Sequence, residues 1–573
     1  MKKFDYSRLG NTLWMEIGVS LIGALIIVVA LLADQVGAGG QTGFGAKQSL
    51  LLILGGGLWA AVGADLIARK HGWDPEIPTL AGIKTSILKQ WREILLAFSR
   101  IHKLWIDVLI VITLVMIVGF GSYWGGKSID PVVYRDETSS VWFESDLADN
   151  LDILVNRHYA HSLNIHLMFS LVAYPSVYIL HSIAGIELLT AIRIYVVTGA
   201  ILWVSMLYVL LRLMGCRRFD ATLFSLLGTT SAAAMFWLVV PESFMLGSLS
   251  ILLALLTVTL AQRRGLSSLW YAGVNALTLG FTVTNWMIGI IATVVNHPLK
   301  RTAQILVNGF FIAVVLWMVG KVLFPQAQSF LFFLSSTQSS YIFTPYNGGP
   351  LSVLTSFAFH SMIMPTFELV DRFSAPPNIL PNNWPIMVTQ YSGPGSGPQP
   401  WGVISVILWG ALLACGLWAI CRLKQQTKFR VALGLMILGQ LLFHMVYGEE
   451  TFLYAIHFAP LLVTLVSLGT LTRMRLVVLV LAGALVLTLG INNTLQFVQA
   501  TNVVNCLKQN DPDILAEPLW VQSISDSKPE RKPPDKAKLI AICGEGTWEP
   551  AGQIGGGISF DKLSQGTTLA VEK

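Results

Sequence analysis

The chain has 573 residues, of which 54% are hydrophobic and only 12% are charged. Soluble domains carry about 25% charged residues, so this composition excludes an ordinary soluble protein and favours a helical multi-pass membrane protein. The apolar runs are too long and too uniform for the strands of a transmembrane barrel. The net charge of +6 comes from short basic clusters between apolar runs, which indicates cytoplasmic loops and not a nucleic-acid-binding surface.

The N-terminal region predicts two spans before the main membrane domain. Basic residues near the start place the N-terminus inside, and the first two spans cover 14–33 and 50–67. Between them and a third span at 104–120 lies the basic segment 69–103, which is amphipathic and is predicted to lie on the cytoplasmic surface. These features define a first region, 1–103.

The remaining apolar runs alternate with basic clusters and predict an ordered set of crossings. The run 269–295 is interrupted at Thr284-Asn285, which suggests two short helices in a hairpin. The segment 165–182 is treated as a partial or surface-lying helix, because counting it as a span would place every later basic cluster outside. The other predicted spans are 191–211, 223–240, 244–261, 305–323, 403–420, 431–446, 458–471 and 476–491. The prediction is therefore an all-α protein with about thirteen crossings, the N-terminus cytoplasmic and the C-terminus extracytoplasmic.

Three segments are predicted to face outward. They are the loops 121–164 and 324–400 of a membrane domain at 104–491, and a polar C-terminal domain at 492–573. That last domain holds Cys506 and Cys543, the two cysteines predicted outside. An outside pair suggests a disulfide, with two unpaired thiols as the alternative.

The first outer loop is the most informative stretch, because carboxylates crowd together directly beside an apolar span. Asp136, Glu137, Glu144 and Asp146 fall within eleven residues. One interpretation is a solvated acidic loop. The other is a reaction site at the mouth of the bundle, where a carboxylate deprotonates an acceptor hydroxyl and Arg or His neutralises a departing phosphate.

The order of motifs along the chain resembles the polytopic glycosyltransferases of the C superfamily, which use sugars linked to polyprenyl phosphate. The resemblance covers about 104–471. Two departures are an apparently added N-terminal region and Ile165-His166-Leu167 where the family usually has a proline. The matching motifs are Asp136-Glu137, the stretch from Asn164 to Pro175, the helix start from Gly185 to Arg193, Leu211 to Arg218, Pro241-Glu242-Ser243 and the late segment from Tyr447 to Pro460.

The resemblance implies roles for particular residues. Asp136 is expected to be the catalytic base with Glu137 beside it, and Asp146 is the reserve. Arg135, Arg157 and His161 are expected to bind the donor phosphate, although Arg157 also has Asp149 and Asp152 as possible ion-pair partners. Glu242 and His457 are further substrate-binding candidates, and the alternative for Glu242 is a carboxylate favoured by a helix N-terminus.

Other chemistry has weaker support. The string 121–128 matches the phosphate-loop pattern G-x-x-x-x-G-K-S, but it follows an apolar span where that motif requires a strand. The acidic loop is compatible with a divalent metal, Mg²⁺ or Mn²⁺. No ligands are assigned to such an ion.

The predicted function is inverting transfer of a sugar from a polyprenyl-phosphate donor to a glycan, lipid or protein acceptor. The reaction would take place on the outer face of a cell membrane, a bacterial inner membrane being expected. The polyprenyl phosphate is the leaving group, so no redox or nucleotide cofactor is required. Two alternatives stay open: a transporter or flippase for a lipid-linked saccharide, and a polysaccharide polymerase or ligase.

Overall fold

A computed structural model describes residues 104–135, 140–157, 165–324, 339, 341–371, 384–511 and 536–544. This part of the chain is predominantly helical, and its one sheet is a two-stranded antiparallel pair. The predicted spans 14–33 and 50–67 and the basic segment 69–103 lie outside the described residues.

The elements in chain order are sixteen α-helices and two strands within the described residues. We number them α1 Leu104–Ser128, α2 Leu147–Val155, α3 Phe169–Tyr178, α4 Leu188–Met214, α5 Arg218–Thr229, α6 Ala232–Trp237, α7 Phe244–Ala261, α8 Ser268–Phe281, α9 Trp286–Val294, α10 Leu299–Leu323, α11 Gly349–Thr355, β1 Glu368–Val370, β2 Ile386–Val388, α12 Trp401–Arg422, α13 Thr427–Val446, α14 Ala455–Ser467, α15 Arg475–Asn510 and α16 Lys536–Gly544.

Eight helices in the described part of the chain are long and apolar enough to cross a membrane. They are α1, α4, α7, α10, α12, α13, α15 and the segment Thr451–Leu471, which comprises α14 and its flanking 3₁₀ turns. The protein is therefore a multi-pass helical membrane protein. The remaining predicted crossings are the two outside the described residues, the run 223–240 and the interrupted run 269–295.

The run 223–240 is broken into two helices, which corrects the prediction of one continuous helical span. The chain breaks between α5 and α6, where the Ser231 hydroxyl accepts a hydrogen bond from Ala234 N and starts a new helix. Such a cap satisfies a backbone donor that a continuous helix would have bonded internally. Two helices of twelve and six residues are each too short to span the hydrocarbon layer.

The run 269–295 forms the predicted hairpin of two short helices, α8 and α9. Asn275 of α8 donates to Thr293 of α9 over 2.8 Å, and Gly289 lies against Thr278, so the two helices are antiparallel. Their lengths are about 21 and 14 Å, less than the hydrocarbon thickness of about 30 Å. The 3₁₀ turn Val283–Asn285 between them is the tip of a hairpin that re-enters the bundle.

The short apolar helix Phe169–Ile183 agrees with the treatment of 165–182 as a partial helix. It comprises α3 and a π-helical turn, Ile179–Ile183, and it is too short to count among the spans. It therefore leaves the alternation of the later loops intact.

The centre of the bundle is occupied by α14 and α7, and α1 lies at its edge. In the most apolar stretch of the segment containing α14, 94% of the residues are buried, and in that of α7 78% are buried. In the corresponding stretch of α1 only 11% are buried. A helix that is apolar all round and fully buried belongs to the core, and one whose apolar surface is exposed can face lipid.

The two ends of the bundle carry opposite charge. At the basic end, the buried Asp220 of α5 accepts from Arg475 of α15 over 2.9 Å, and Asp107 of α1 accepts from Arg212 and Arg218. The other described carboxylates lie at the opposite end, where Asp130 pairs with Lys508 over 2.7 Å. This separation is what the positive-inside rule expects if the basic end is cytoplasmic.

Helix α15 continues past the predicted exit at residue 491. It has 36 residues and a length of about 54 Å, well beyond the hydrocarbon thickness. Asn492 and Asn493 are fully buried, and Asn493 donates to the carbonyls of Thr230 and Met362. The predicted boundary at 491/492 thus falls inside a helix that packs on the segments containing Thr230 and Met362.

The C-terminal end of α15 is tied to other segments at the acidic end of the bundle. Cys506 of α15 forms a disulfide with Cys543 of α16, with the sulfur atoms 2.06 Å apart. Trp384 donates its indole N–H to Asp511 over 2.7 Å. Cys216, Cys415 and Cys421 are free thiols. The disulfide and the indole bond therefore fasten α16 and the β2 segment to the end of the longest helix.

The buried ion pair of Asp220 and Arg475 is expected to contribute to stability. Asp220→Asn leaves the guanidinium without its carboxylate at a site where Asp220 is 1% exposed, and breaking a buried pair is destabilising. We expect the midpoint of thermal unfolding in detergent to fall by several degrees. Glu187→Gln, which changes an exposed carboxylate bonded to Thr190 in its own helix, is the control and should leave the midpoint unchanged. Equal midpoints for both variants would contradict the inference.

Candidate functional site

The acidic loop is anchored by a buried aromatic cluster. Phe143 is fully buried and its ring meets those of Phe236, Phe367 and Phe452 at centroid distances of 5.4 to 5.5 Å. Its backbone and that of Glu144 adopt left-handed conformations, with φ of 52° and 62°. Such conformations cost about 1–3 kcal/mol for a residue with a side chain and persist where packing dictates them. The cluster therefore fixes the backbone that leads into Asp146.

Helix α2 places two polar side chains beside a buried carboxylate. Asp146 stands at its N-terminus and is exposed, and Asn150 is buried one turn later. The Asn150 amide donates to Glu242 Oε1 over 2.9 Å. Glu242, just before α7, is 1% exposed. The arrangement pairs an exposed carboxylate with a buried one.

Glu242 begins a chain of polar contacts across the bundle. Its Oε1 also accepts from the backbone N–H of Ser243 over 2.9 Å. The Ser243 hydroxyl lies 3.2 Å from His166 Nε2, and His166 Nδ1 lies 2.8 Å from the carbonyl of Phe281. Because a carbonyl only accepts, the Nδ1 carries the proton and Nε2 is an acceptor. The Ser243 hydroxyl lies 3.2 Å from this Nε2 and 3.2 Å from Glu242 Oε1, so its one proton is shared between two acceptors. Burial lowers the pKa of His166 to about 4, so the ring is neutral.

The hairpin tip meets α7 at Gly247. A methyl group there would lie against His457 Nε2, 2.8 Å from Thr282 Oγ1 and 3.1 Å from Asn285 Nδ2. Only a residue without a side chain lets α14, α7 and the tip approach so closely. Asn285 is held from its other side by Gln440, whose amide donates to Asn285 Oδ1 over 3.1 Å.

Three buried polar atoms in this region have no hydrogen-bond partner. They are Glu242 Oε2, Asn285 Nδ2 and His457 Nε2, and each of these side chains is at most 1% exposed. An unpaired buried polar group costs about 1–3 kcal/mol, and such groups are rare in folded proteins. Two of them, Asn285 Nδ2 and His457 Nε2, both lie at Gly247, which indicates a place where a ligand supplies the missing partners.

The electrostatics around Asp146 and Glu242, at the acidic end of the bundle, are dominated by negative charge. Burial raises the pKa of Glu242 to about 8, and the charge of Asp146 adds to the rise. The pKa of Tyr447 is raised to about 12, first by burial and then by Asp146, and that of Tyr341 is raised for the same reasons. At neutral pH Glu242 is therefore protonated beside the acidic side chain of Asp146, and because Oε1 already accepts two bonds, Oε2 carries the proton.

Glu450, although close to this region in sequence and fold, has a structural role. Its carboxylate accepts from Thr389 Oγ1 over 2.7 Å and from the backbone N–H groups of Thr389 and Gln390 over 2.9 and 3.2 Å. A buried carboxylate bonded this fully fixes the loop that follows β2 and has little capacity left for a substrate.

The predicted site residues are only partly brought together. Asp146, Glu242 and His457 lie in one region. Arg135 is half-buried next to the 3₁₀ turn Pro131–Tyr134. The exposed Arg157 donates from Nε to the carbonyl of Leu323 over 2.5 Å, which directs it to the end of α10. Asp136, Glu137 and His161 lie outside the described residues, so their roles stay predictions.

The structure also bears on the phosphate-loop pattern and on the possible metal site. The string 121–128 forms the last two turns of α1, so it has none of the loop geometry that cradles phosphates. Among the residues that the structure describes, no group of three His, Cys, Asp or Glu side chains is placed to hold a metal ion.

The sequence interpretation did not include several residues of the site. Asn150, Ser243, Thr282 and Gln440 enter through tertiary contacts. The sequence does draw attention to Asn285, because the polar pair Thr284-Asn285 interrupts an apolar run. The others are common polar residues whose spacing carries no signal.

Comparison of the chain with protein-family models gives no match, and comparisons with curated proteins and with solved structures give none either. The fold and the site define a multi-pass helical membrane protein with a polar, partly unsatisfied centre at its acidic end.

The raised pKa of Glu242 predicts a pH-dependent stability. In the folded state Glu242 keeps its proton up to about pH 8, whereas in the unfolded state it releases the proton near pH 4.5. The contribution of Glu242 to the stability of the folded state is therefore full below pH 4.5 and is lost as the pH rises to 8. Glu242→Gln, which is neutral at every pH, should therefore unfold at a higher temperature than the wild type at pH 8.5, with a smaller difference at pH 5. The measurement is thermal unfolding in detergent from pH 5 to 9. A difference that does not change with pH would refute the assignment.

The close approach at Gly247 predicts an overpacking effect. Gly247→Ala should destabilise the protein by about 1–3 kcal/mol, because the added methyl group pushes the hairpin tip away from α7. Gly273→Ala in α8 is the control, since a methyl group there meets nothing within 4 Å, and alanine is the better helix former. Thermal unfolding of both variants measures the effect, and a neutral Gly247→Ala would show that the tip is not tightly packed.

Proposed function

We propose that the protein is an inverting glycosyltransferase that moves a sugar from a polyprenyl-phosphate donor to an acceptor hydroxyl on the extracytoplasmic face of the membrane. The acidic end of the bundle is then the outer end, with the basic clusters in the cytoplasm, as the positive-inside rule expects. The two predicted spans at 14–33 and 50–67, the eight described spans and the broken pair of α5 and α6 give eleven crossings, with the N-terminus inside and the C-terminus outside in a cell membrane.

The observation that carries this proposal is the pair of carboxylates at the mouth. Asp146 is exposed, and Glu242 behind it is buried and protonated. A buried carboxyl group that keeps its proton can donate a hydrogen bond, while an exposed carboxylate next to it can act as a base. Contacts through Ser243 and His166 link Glu242 to the hairpin tip. There the buried nitrogens Asn285 Nδ2 and His457 Nε2 have no partner and can form hydrogen bonds with a ligand.

The proposed reaction follows from these roles. Asp146 accepts the proton of the acceptor hydroxyl, whose oxygen forms a bond to the anomeric carbon. The bond from that carbon to the phosphate oxygen breaks, and its electron pair leaves on the polyprenyl phosphate. Glu242 Oε2–H and Asn285 Nδ2 donate hydrogen bonds to the phosphate oxygens, which stabilises the charge that develops there.

A transporter of lipid-linked saccharides is the second candidate, favoured by one observation. The hairpin of α8 and α9 is a pair of short helices meeting at a polar tip inside the bundle, with buried Asn275, Thr278 and Thr293 along it. Broken helices of this kind form the substrate sites of many transporters.

The test is sugar transfer in membranes from a panel of radiolabelled polyprenyl-phosphate sugars. We expect Asp146→Asn to lower transfer at least about a hundredfold, because general-base catalysis contributes 10²- to 10⁴-fold. Asp136→Asn is measured in parallel, since the resemblance to the C superfamily favours that residue. Asp130→Asn is the control, because this carboxylate pairs with Lys508 and stands outside the site.

Each outcome has a distinct meaning. Loss of transfer with Asp146→Asn and retained donor binding support the proposal. Loss with Asp136→Asn alone moves the base to that residue. Full transfer by both variants removes the acidic-loop mechanism. Saccharide movement across vesicles without any transfer favours the transporter.

A further inference from the structure

A second concave site lies alongside α2. It is a cleft of about 420 Å³ between α2, α3 and the start of α4. Small-molecule sites commonly have volumes of about 300–1,000 Å³. None of the residues assigned to the transfer reaction lines this cleft.

The lining combines aromatic rings with planar polar groups. The tyrosines Tyr134, Tyr174 and Tyr178 lie along it, and Asp152, Asn156 and His181 add a carboxylate, an amide and an imidazole. Tyr134 is 6% exposed, whereas Tyr178 is 47% exposed. The cleft therefore has a buried phenol at its base and an exposed ring near its opening.

This lining distinguishes between two classes of ligand. Carboxylate, amide and phenol groups can each make several hydrogen bonds, and a hydrocarbon chain lying against Asp152, Asn156 and Tyr134 would add none. A hydroxyl-rich ligand would form hydrogen bonds with those groups. Its apolar C–H face would lie against the tyrosine rings, whose faces are apolar and whose hydroxyl groups are polar. The aliphatic remainder of the wall accommodates the same C–H surface.

The position of the cleft connects it to the proposed reaction. One face of α2 presents Asn150 to Glu242, and Leu151, Asp152 and Val155 of the same helix line the cleft. A ligand in the cleft is thus held by the helix whose N-terminus carries Asp146. The rigid helix fixes the ligand relative to the carboxylate pair.

We infer that this cleft binds a neutral saccharide, the acceptor of the transfer reaction. The assignment as acceptor site rests on the proposed function, whereas saccharide binding can be tested without it. Ring contact with Tyr178 and hydrogen bonds to Asp152 and Asn156 provide the recognition.

The experiment measures binding of neutral disaccharides to the full-length protein in lipid nanodiscs without any donor. The probes are maltose, cellobiose, lactose and diacetylchitobiose, and saturation-transfer NMR measures the binding of each. We expect at least one to bind, and its Kd to rise about tenfold in Asn156→Ala, which corresponds to the loss of one hydrogen bond. Tyr178→Ala should weaken binding similarly, and Tyr178→Phe should retain it because the ring face is kept.

Tyr391→Ala is the matched control, because Tyr391 is also an exposed tyrosine of the acidic end and is bonded to Tyr346 outside the cleft. Its binding should equal that of the wild type, and thermal unfolding verifies that each variant is folded. Absence of binding by all four disaccharides overturns the inference. Equal binding by the wild type and Tyr178→Ala overturns it as well.

The two proposals fail separately. Saccharide binding that depends on Tyr178 and Asn156, without transfer from any donor, supports the cleft and removes the glycosyltransferase. Transfer that depends on Asp146 but has the same acceptor KM in Asn156→Ala and the wild type supports the enzyme and removes the cleft as its acceptor site.

Discussion

The burial of Glu242 is the constraint on which the acidic end of the bundle depends. A carboxylate surrounded by protein is costly to ionise, so its surroundings must supply hydrogen bonds or it must keep its proton. Asn150 and the Ser243 backbone bond to one of its oxygens, and the other oxygen has no partner. Helix α2, the loop that carries His166 and the hairpin tip are all placed by the polar contacts that start from this side chain.

The surrounding structure is rigid where the site needs precision. The aromatic cluster around Phe143 holds a left-handed backbone just ahead of Asp146, and Glu450 fixes the loop after β2 through several hydrogen bonds. Farther out, the Cys506–Cys543 disulfide and the pairing of Lys508 with Asp130 attach the end of α15 to the outer segments. These fixed elements surround three buried atoms whose hydrogen-bonding capacity is unused, which is the pattern of a preorganised binding site.

The hairpin of α8 and α9 serves both proposals for function in the same physical way. Its tip brings Thr282 and Asn285 into the apolar interior, where polar groups need partners and interact strongly with whatever supplies them. A transferase would use that tip to hold the leaving phosphate, and a transporter would use it to hold its cargo. The exposed Asp146 beside protonated Glu242 favours transfer, because it provides a base where an acceptor from the aqueous side can reach it.

The amino-acid sequence alone determined the class of protein, most of the spans and the interruption at Thr284-Asn285, since these depend on local hydrophobicity and on the length needed to cross a bilayer. It also singled out Asp146, Glu242 and His457 as candidates. The tertiary structure decided that these three share one region, that 223–240 is two short helices, and that α15 extends to Asn510. Those outcomes depend on contacts between residues far apart in the chain, such as Asn150 with Glu242 and Asn493 with Met362, which no local pattern contains.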